Sequence, residues 1–170
     1  MGSTFFAIAS VVTLGLTSSG ANASTPPKEG RPDLNPVTFF LGRTHGSGSL
    51  DTLINSPVAV TVDSIGYVRG NELVLRQTVR KGSKPASTRQ WTMRKVTPYR
   101  YAGTLTDATG PVLIIVDGNR AKISYSIKGG LSVKQLLAVQ PDGKTMLNVL
   151  KVKKLGLRVA VLRETIRKTD

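Results

Sequence analysis

Arg120-Ala121-Lys122-Ile123-Ser124-Tyr125-Ser126-Ile127-Lys128 is the stretch that decides the fold. Ala121, Ile123, Tyr125 and Ile127 share one face, and Arg120, Lys122, Ser124, Ser126 and Lys128 share the other. Successive side chains of a strand point to opposite faces, so this pattern is a half-buried β-strand with one wet face. The same alternation recurs from about residue 56 to residue 168, broken only by tight turns.

Upstream, Val112 to Val116 is apolar on both faces, and Asp117-Gly118-Asn119 is a strong hairpin signal. Trp91 and Met93 oppose Thr92 and Arg94, Leu73, Leu75 and Val79 oppose Arg76, Thr78 and Arg80, and Val58, Val60 and Val62 oppose Ala59, Thr61 and Asp63. Further turns fall at Gly70-Asn71, at 81–85, at Pro98, at 107–111, at Gly129-Gly130 and at Pro141-Asp142-Gly143. A last strand is expected over Leu157 to Arg167, and a first over Leu41 to Ser49. Gly42, Gly46 and Gly48 mark bends or bulges in that first strand. Val37 to Gly42 reads as a short helical turn or cap feeding it. Local connections favour an all-β, antiparallel up-and-down barrel of about 8–10 strands, since closure removes the exposed edges.

The 170 residues suffice for one domain with a real core. Phe5 to Leu16 is almost wholly apolar, and Ala21-Asn22-Ala23 fits a small-x-small cleavage pattern. Residues 1–23 are therefore expected to be a signal peptide cut after Ala23, although no Lys or Arg precedes the apolar run. That run is short for a membrane span, which needs about 20 residues. Residues 24–36, with four prolines, read as a flexible leader, and residues 37–170 as the barrel. The chain has no cysteine, which excludes disulfides, thiol chemistry and a lipoprotein anchor. A periplasmic or secreted protein is expected.

The net charge is +14, and every charged residue lies after Ala23. Such an excess favours anionic partners such as a membrane surface or lipopolysaccharide. Nine basic residues face one acid between Arg69 and Arg100, and seven face one between Lys151 and Lys168. Arg76, Arg80, Lys81 and Lys84 in the first run, and Lys151, Lys153, Lys154 and Arg158 in the second, are candidate anion contacts. Solvated strand faces would look similar. Nucleic acid is not expected as a native target: the aromatics are scattered rather than interleaved with a basic stripe.

Phe39-Phe40-Leu41-Gly42, Arg89-Gln90-Trp91 and Tyr101-Ala102-Gly103-Thr104 with Asp107 and Gly110 form a set of landmarks. Gly118-Asn119, Tyr125, Asn148 and Lys154-Leu155-Gly156-Leu157-Arg158-Val159 continue it. Together they resemble a bacterial domain-of-unknown-function family, number 3833, over about Val37 to Lys168. The resemblance implies a lipocalin-like barrel of exported, often lipid-anchored proteins with no established activity. Two departures matter. Lys134-Gln135-Leu136-Leu137 stands where an acidic pair followed by Trp and Met is typical, and basic Arg80 to Lys84 stands where an acidic Asp-Gly turn is typical.

No catalytic set emerges. His45 is the single histidine, and neighbours on one extended strand, such as Ser47, Ser49 and Asp51, cannot converge on it as a triad. One His and no Cys exclude a convincing metal site, and no cofactor is expected. Asp63 and Asp107 could pair across the barrel as glycosidase acids, but nothing selects them. Arg89 should share the face of Trp91, because residues two apart on a strand do. An Arg beside an apolar interior is paired, stacked on a ring or reaching a mouth. Arg89, Trp91, Tyr101, Ile114, Tyr125 and Asn148 are therefore the candidate ligand-binding residues, with core packing as the plain alternative. The expected ligand is hydrophobic or an anionic amphiphile, such as a fatty acid or phospholipid, with its head at Arg89 and its tail along Val112 to Val116. A basic surface module without an internal ligand is the alternative, and a lipid-modifying enzyme a third reading.

Overall fold

The computed structural model describes residues 32–170. The expected signal peptide and the leader up to residue 31 lie outside the described residues. The end of the leader is held in place: Leu34 and Pro36 are buried, and the Leu34 amide donates to the Gly118 carbonyl at 2.8 Å. These residues belong to the barrel because they cover its apolar end.

Among the described residues one short helix precedes the strands, α1 (Pro36–Phe40). The Asn35 side chain accepts hydrogen bonds from the amides of Val37 (3.0 Å) and Thr38 (3.3 Å), and Pro36 supplies a pre-set φ at the first turn. Gly42, at φ +87°, takes the left-handed conformation that ends the helix. Lys168 Nζ donates to the carbonyls of Phe39 (3.0 Å) and Leu41 (2.7 Å), which the helix itself leaves without partners.

Ten strands follow: β1 (Gly42–Thr52), β2 (Val58–Arg69), β3 (Glu72–Lys81), β4 (Ser87–Thr97) and β5 (Arg100–Leu105). Then come β6 (Val112–Asp117), β7 (Arg120–Ile127), β8 (Leu131–Val139), β9 (Thr145–Lys154) and β10 (Leu157–Lys168). Each strand pairs antiparallel with its chain neighbours, and β1 pairs with β10 from Thr44↔Lys168 to Thr52↔Ala160. The result is a closed up-and-down, lipocalin-like barrel. β1 runs three residues beyond the expected Ser49, because β10 continues to pair with it there.

Strand direction alternates, so the turns after β1, β3, β5, β7 and β9 form one rim. The remaining turns and α1 form the other. At the α1 end Leu34, Phe39 and Phe40 pack with Leu73, Met93, Tyr101 and Ile114 into one buried cluster. That end is plugged. Among the described residues, no helix is long and apolar enough to cross a membrane.

Candidate functional site

Above the plug, the barrel interior changes character. Thr44, Ser64, Gln77 and Arg89 stand in direct register across β1, β2, β3 and β4. Inward positions are normally apolar, so four polar residues in one row form a distinct layer. Gln77 holds the row together. Its Nε2 donates to Ser64 Oγ (3.1 Å), and its Oε1 accepts from Arg89 Nε and Trp91 Nε1, each at 2.8 Å. Trp91 meets Tyr125 edge to face, ring centroids 5.6 Å apart, and the Arg89 guanidinium lies 5.9 Å from the Trp91 ring centroid.

The neighbouring strands on the other side of β1 add Glu164 and Asn148, directly paired on β10 and β9. Glu164 is 8% exposed, and its Oε2 accepts from Asn148 Nδ2 at 2.7 Å. Burial pushes the Glu164 carboxyl above its usual range, opposed by the Asn148 hydrogen bond and the charges of Arg89 and His45. Gly46 and Gly48 make room here. A Cβ on Gly46 would meet the Glu164 carboxylate, and one on Gly48 would meet the β10 backbone at Arg163 and Glu164. Thr44 Oγ1, Gln135 Oε1 and Asn148 Oδ1 are buried without a hydrogen-bond partner among the described residues.

Over this layer opens a cavity of about 310 Å³ at the rim opposite α1. Its walls are mainly aliphatic, including Val60, Val62, Val79, Leu150 and Leu162. Arg89 and Tyr125 reach into it, and Lys81 and Asp107 sit at its edge. Arg89 is half-buried. Its Nε is held by Gln77, but its terminal nitrogens make no hydrogen bond or ion pair among the described residues. Burial also raises the Tyr125 hydroxyl above its ordinary pKa.

The structure divides the six expected ligand residues. Arg89 and Tyr125 line the cavity, and Trp91 braces both from behind. Asn148 lies in the polar layer with its donor used by Glu164. Tyr101 and Ile114 belong to the plugged end, and Val112 and Val116 are buried in the core, so the cavity does not extend along that segment. Ser64, Gln77 and Glu164 complete the layer without having been singled out in the sequence. The signal was present: Gln77 lies between Leu75 and Val79, and Glu164 between Leu162 and Ile166.

The basic runs are also divided. Arg76 and Arg80 face outward on β3, the first over the Tyr67 ring at 5.7 Å, the second on Asp63 at 2.6 Å. Lys81 points to the cavity edge and Lys84 lies in the next turn. Lys151 faces outward, opposite Lys134, while Lys153, Lys154 and Arg158 reach the open rim. His45 is on the outer wall, and its Nδ1 lies 2.7 Å from Asp63. Asp51 instead pairs with Arg163 at 2.6 Å, so no triad forms around His45. The His45 and Arg80 bonds hold the Asp63 carboxyl below its usual range. Asp63 faces outward and Asp107 lines the cavity, so the two acids do not face each other. His45, Asp63 and Arg76 line a second recess of about 800 Å³ along β1 to β4, which the polar row of Thr44, Ser64, Gln77 and Arg89 also lines; Asp63 is already neutralised there by Arg80. Among the described residues, no cluster of His, Cys, Asp or Glu could hold a metal ion.

Known structures share this architecture. Rv2717c from M. tuberculosis superposes with a TM-score of 0.61 at 15% identity, over 81% of this chain and 100% of that one. The S-type phycobiliprotein lyase CPES from Guillardia theta gives 0.59 at 5% identity, over 79% and 91%. A DUF3598-family protein of unknown function from Nostoc punctiforme gives 0.59 at 13% identity over 82% of this chain. This chain spans about half of that protein's length, 51%. At such identities the likeness is one of fold. No curated protein matches the chain. A family model does, across residues 13–168, and the chain belongs to that family, the proteins of unknown function DUF3833.

Proposed function

We propose that this protein binds a single-chain anionic amphiphile, tail in the aliphatic cavity and head on Arg89. The observation that carries this reading is the guanidinium of Arg89. A charge at the base of an apolar recess is normally paired. Here Gln77 and Trp91 fix its direction while its terminal nitrogens stay free for a bidentate anion.

Size narrows the ligand. The cavity of about 310 Å³ is at the small end for ligand sites. At about 30 Å³ per small heavy-atom group it takes about ten of them, one short acyl chain rather than the two of a phospholipid. Burying eight methylenes contributes about 6 kcal/mol at ~0.8 kcal/mol each, which corresponds to tens of micromolar affinity before ordering costs. The role is carriage or sensing rather than catalysis. Export to the periplasm, from the apolar run Phe5 to Leu16 and the Ala21-Asn22-Ala23 site, is part of the same reading.

Calorimetric titration with decanoate and with methyl decanoate tests it. Arg89→Ala should weaken decanoate about tenfold or more, the worth of a charged hydrogen bond, and leave the ester unchanged. Leu150→Trp should remove both by filling the cavity. Equal losses of acid and ester in Arg89→Ala would take Arg89 out of the head-group role. No uptake of either by the unmodified protein would end the carrier reading.

A further inference from the structure

The open rim carries aliphatic side chains that the fold does not use. Leu155, at the tip of the β9–β10 turn, is 93% exposed. Its φ is +49°, and it is the one non-glycine residue with positive φ among the described residues. Two-residue hairpin turns favour Asn or Gly in that conformation. A leucine there is unfavourable for the backbone and leaves a whole aliphatic side chain in water. Leu157 is exposed beside it, and Leu53 and Ile54, the latter 90% exposed, occupy the β1–β2 turn. The Leu53 amide donates to the Val159 carbonyl at 3.3 Å, so the two tips stand side by side. Four large exposed aliphatics thus stand on two neighbouring turns of the rim that holds the cavity mouth.

Charge surrounds these turns. Lys153, Lys154 and Arg158 flank Leu155 and Leu157 on the same hairpin, and Lys81, Lys84 and Lys128 complete the rim. None of the six has an ion-pair partner among the described residues. The acids of this rim are Asp107 and Asp51, and Asp51 is occupied by Arg163.

We propose that the open rim docks on an anionic lipid bilayer, the four aliphatic tips entering the headgroup boundary and the basic ring resting on the lipid phosphates. Surface-lying elements bind membranes through this pairing of buried apolar area with cationic charge. A second copy of the chain does not fit, because its own rim carries the same positive charge. The exposed aliphatics sit on turn tips rather than in a groove, which suits a soft headgroup layer better than the matching surface of a folded partner. Docking needs only the rim, whether or not the cavity is loaded.

The test is flotation of the purified protein with vesicles of phosphatidylcholine alone or mixed with phosphatidylglycerol. Binding to the mixed vesicles should exceed binding to the neutral ones by at least about tenfold and fall as salt is added. Lys153→Gln, Lys154→Gln and Arg158→Gln together should weaken it about a hundredfold, at about fivefold per charge. Leu155→Asn with Leu157→Ser should weaken it about tenfold or more. Leu155→Asn should also melt no lower than the parent protein, because Asn accepts positive φ, so the loss is not one of folding. Arg89→Ala should dock fully, which separates this surface from the cavity. Equal binding to both vesicle types, full binding by the leucine variant, or binding to poly-glutamate but not to vesicles would overturn the proposal.

Discussion

Glu164 is the residue at which the interior is most finely balanced. Burial raises its pKa against the Asn148 bond and the Arg89 and His45 charges, so the folded state favours the protonated acid. The unfolded chain ionises it near the ordinary value of 4.5. As pH rises past that value the unfolded state loses its proton first, and folding stability falls. Glu164→Gln keeps the acceptor for Asn148 and cannot ionise. It should melt above the parent protein at about pH 7, with the two curves converging at about pH 4. A gap of equal size at both pH values in scanning calorimetry would show that ionisation is not the cause. This residue was legible by the rule that found Asn148, since each sits between two inward apolar neighbours. It was missed because a charged side chain is expected to take the wet face. The rule gives face and not height: Tyr101 and Ile114 point inward as expected, but at the plugged end.

At the scale of the element, β1 is the strand whose sequence argues least for a strand. Three glycines weaken it, yet it runs from Gly42 to Thr52 because close approach to β10 requires two of them. The two differ in what they make room for. A Cβ at Gly48 meets β10 backbone, which cannot give, whereas one at Gly46 meets the movable end of the Glu164 side chain. Gly48→Ala should cost about 2–3 kcal/mol in denaturant melts, at the upper part of the range for overpacking. Gly46→Ala should cost less, and that cost should shrink in a Glu164→Ala background. Equal costs for the two glycines, or no coupling to Glu164, would contradict this account. The remaining elements were legible in detail. Alternation placed β2, β3, β4 and β7, an apolar run placed β6, the Asp-Gly and Gly-Gly pairs placed turns, and the Phe39-Phe40 cluster placed the helix. Leu34 was hidden in a proline-rich segment, where nothing local shows that it covers a barrel end.

For the whole molecule, a net charge of +14 works against compaction and in favour of anionic surfaces. Added salt should therefore act in opposite directions on two readouts. Screening of self-repulsion should raise the melting temperature by a few degrees, while the same salt weakens vesicle binding. A melting temperature that falls with moderate salt would mean that attractive pairs such as Asp63 with Arg80 outweigh the repulsion. The closure of the ring also has a mechanical consequence. β1 begins and β10 ends at the plugged rim, on neighbouring strands, and their hydrogen bonds lie across the strand direction. Tension applied at Gly42 and Lys168 would load the Thr44–Lys168 rung first and part the seam one rung at a time, like a zipper. The barrel would open from its plugged end at low force, while a pull along any strand would have to shear a whole ladder at once.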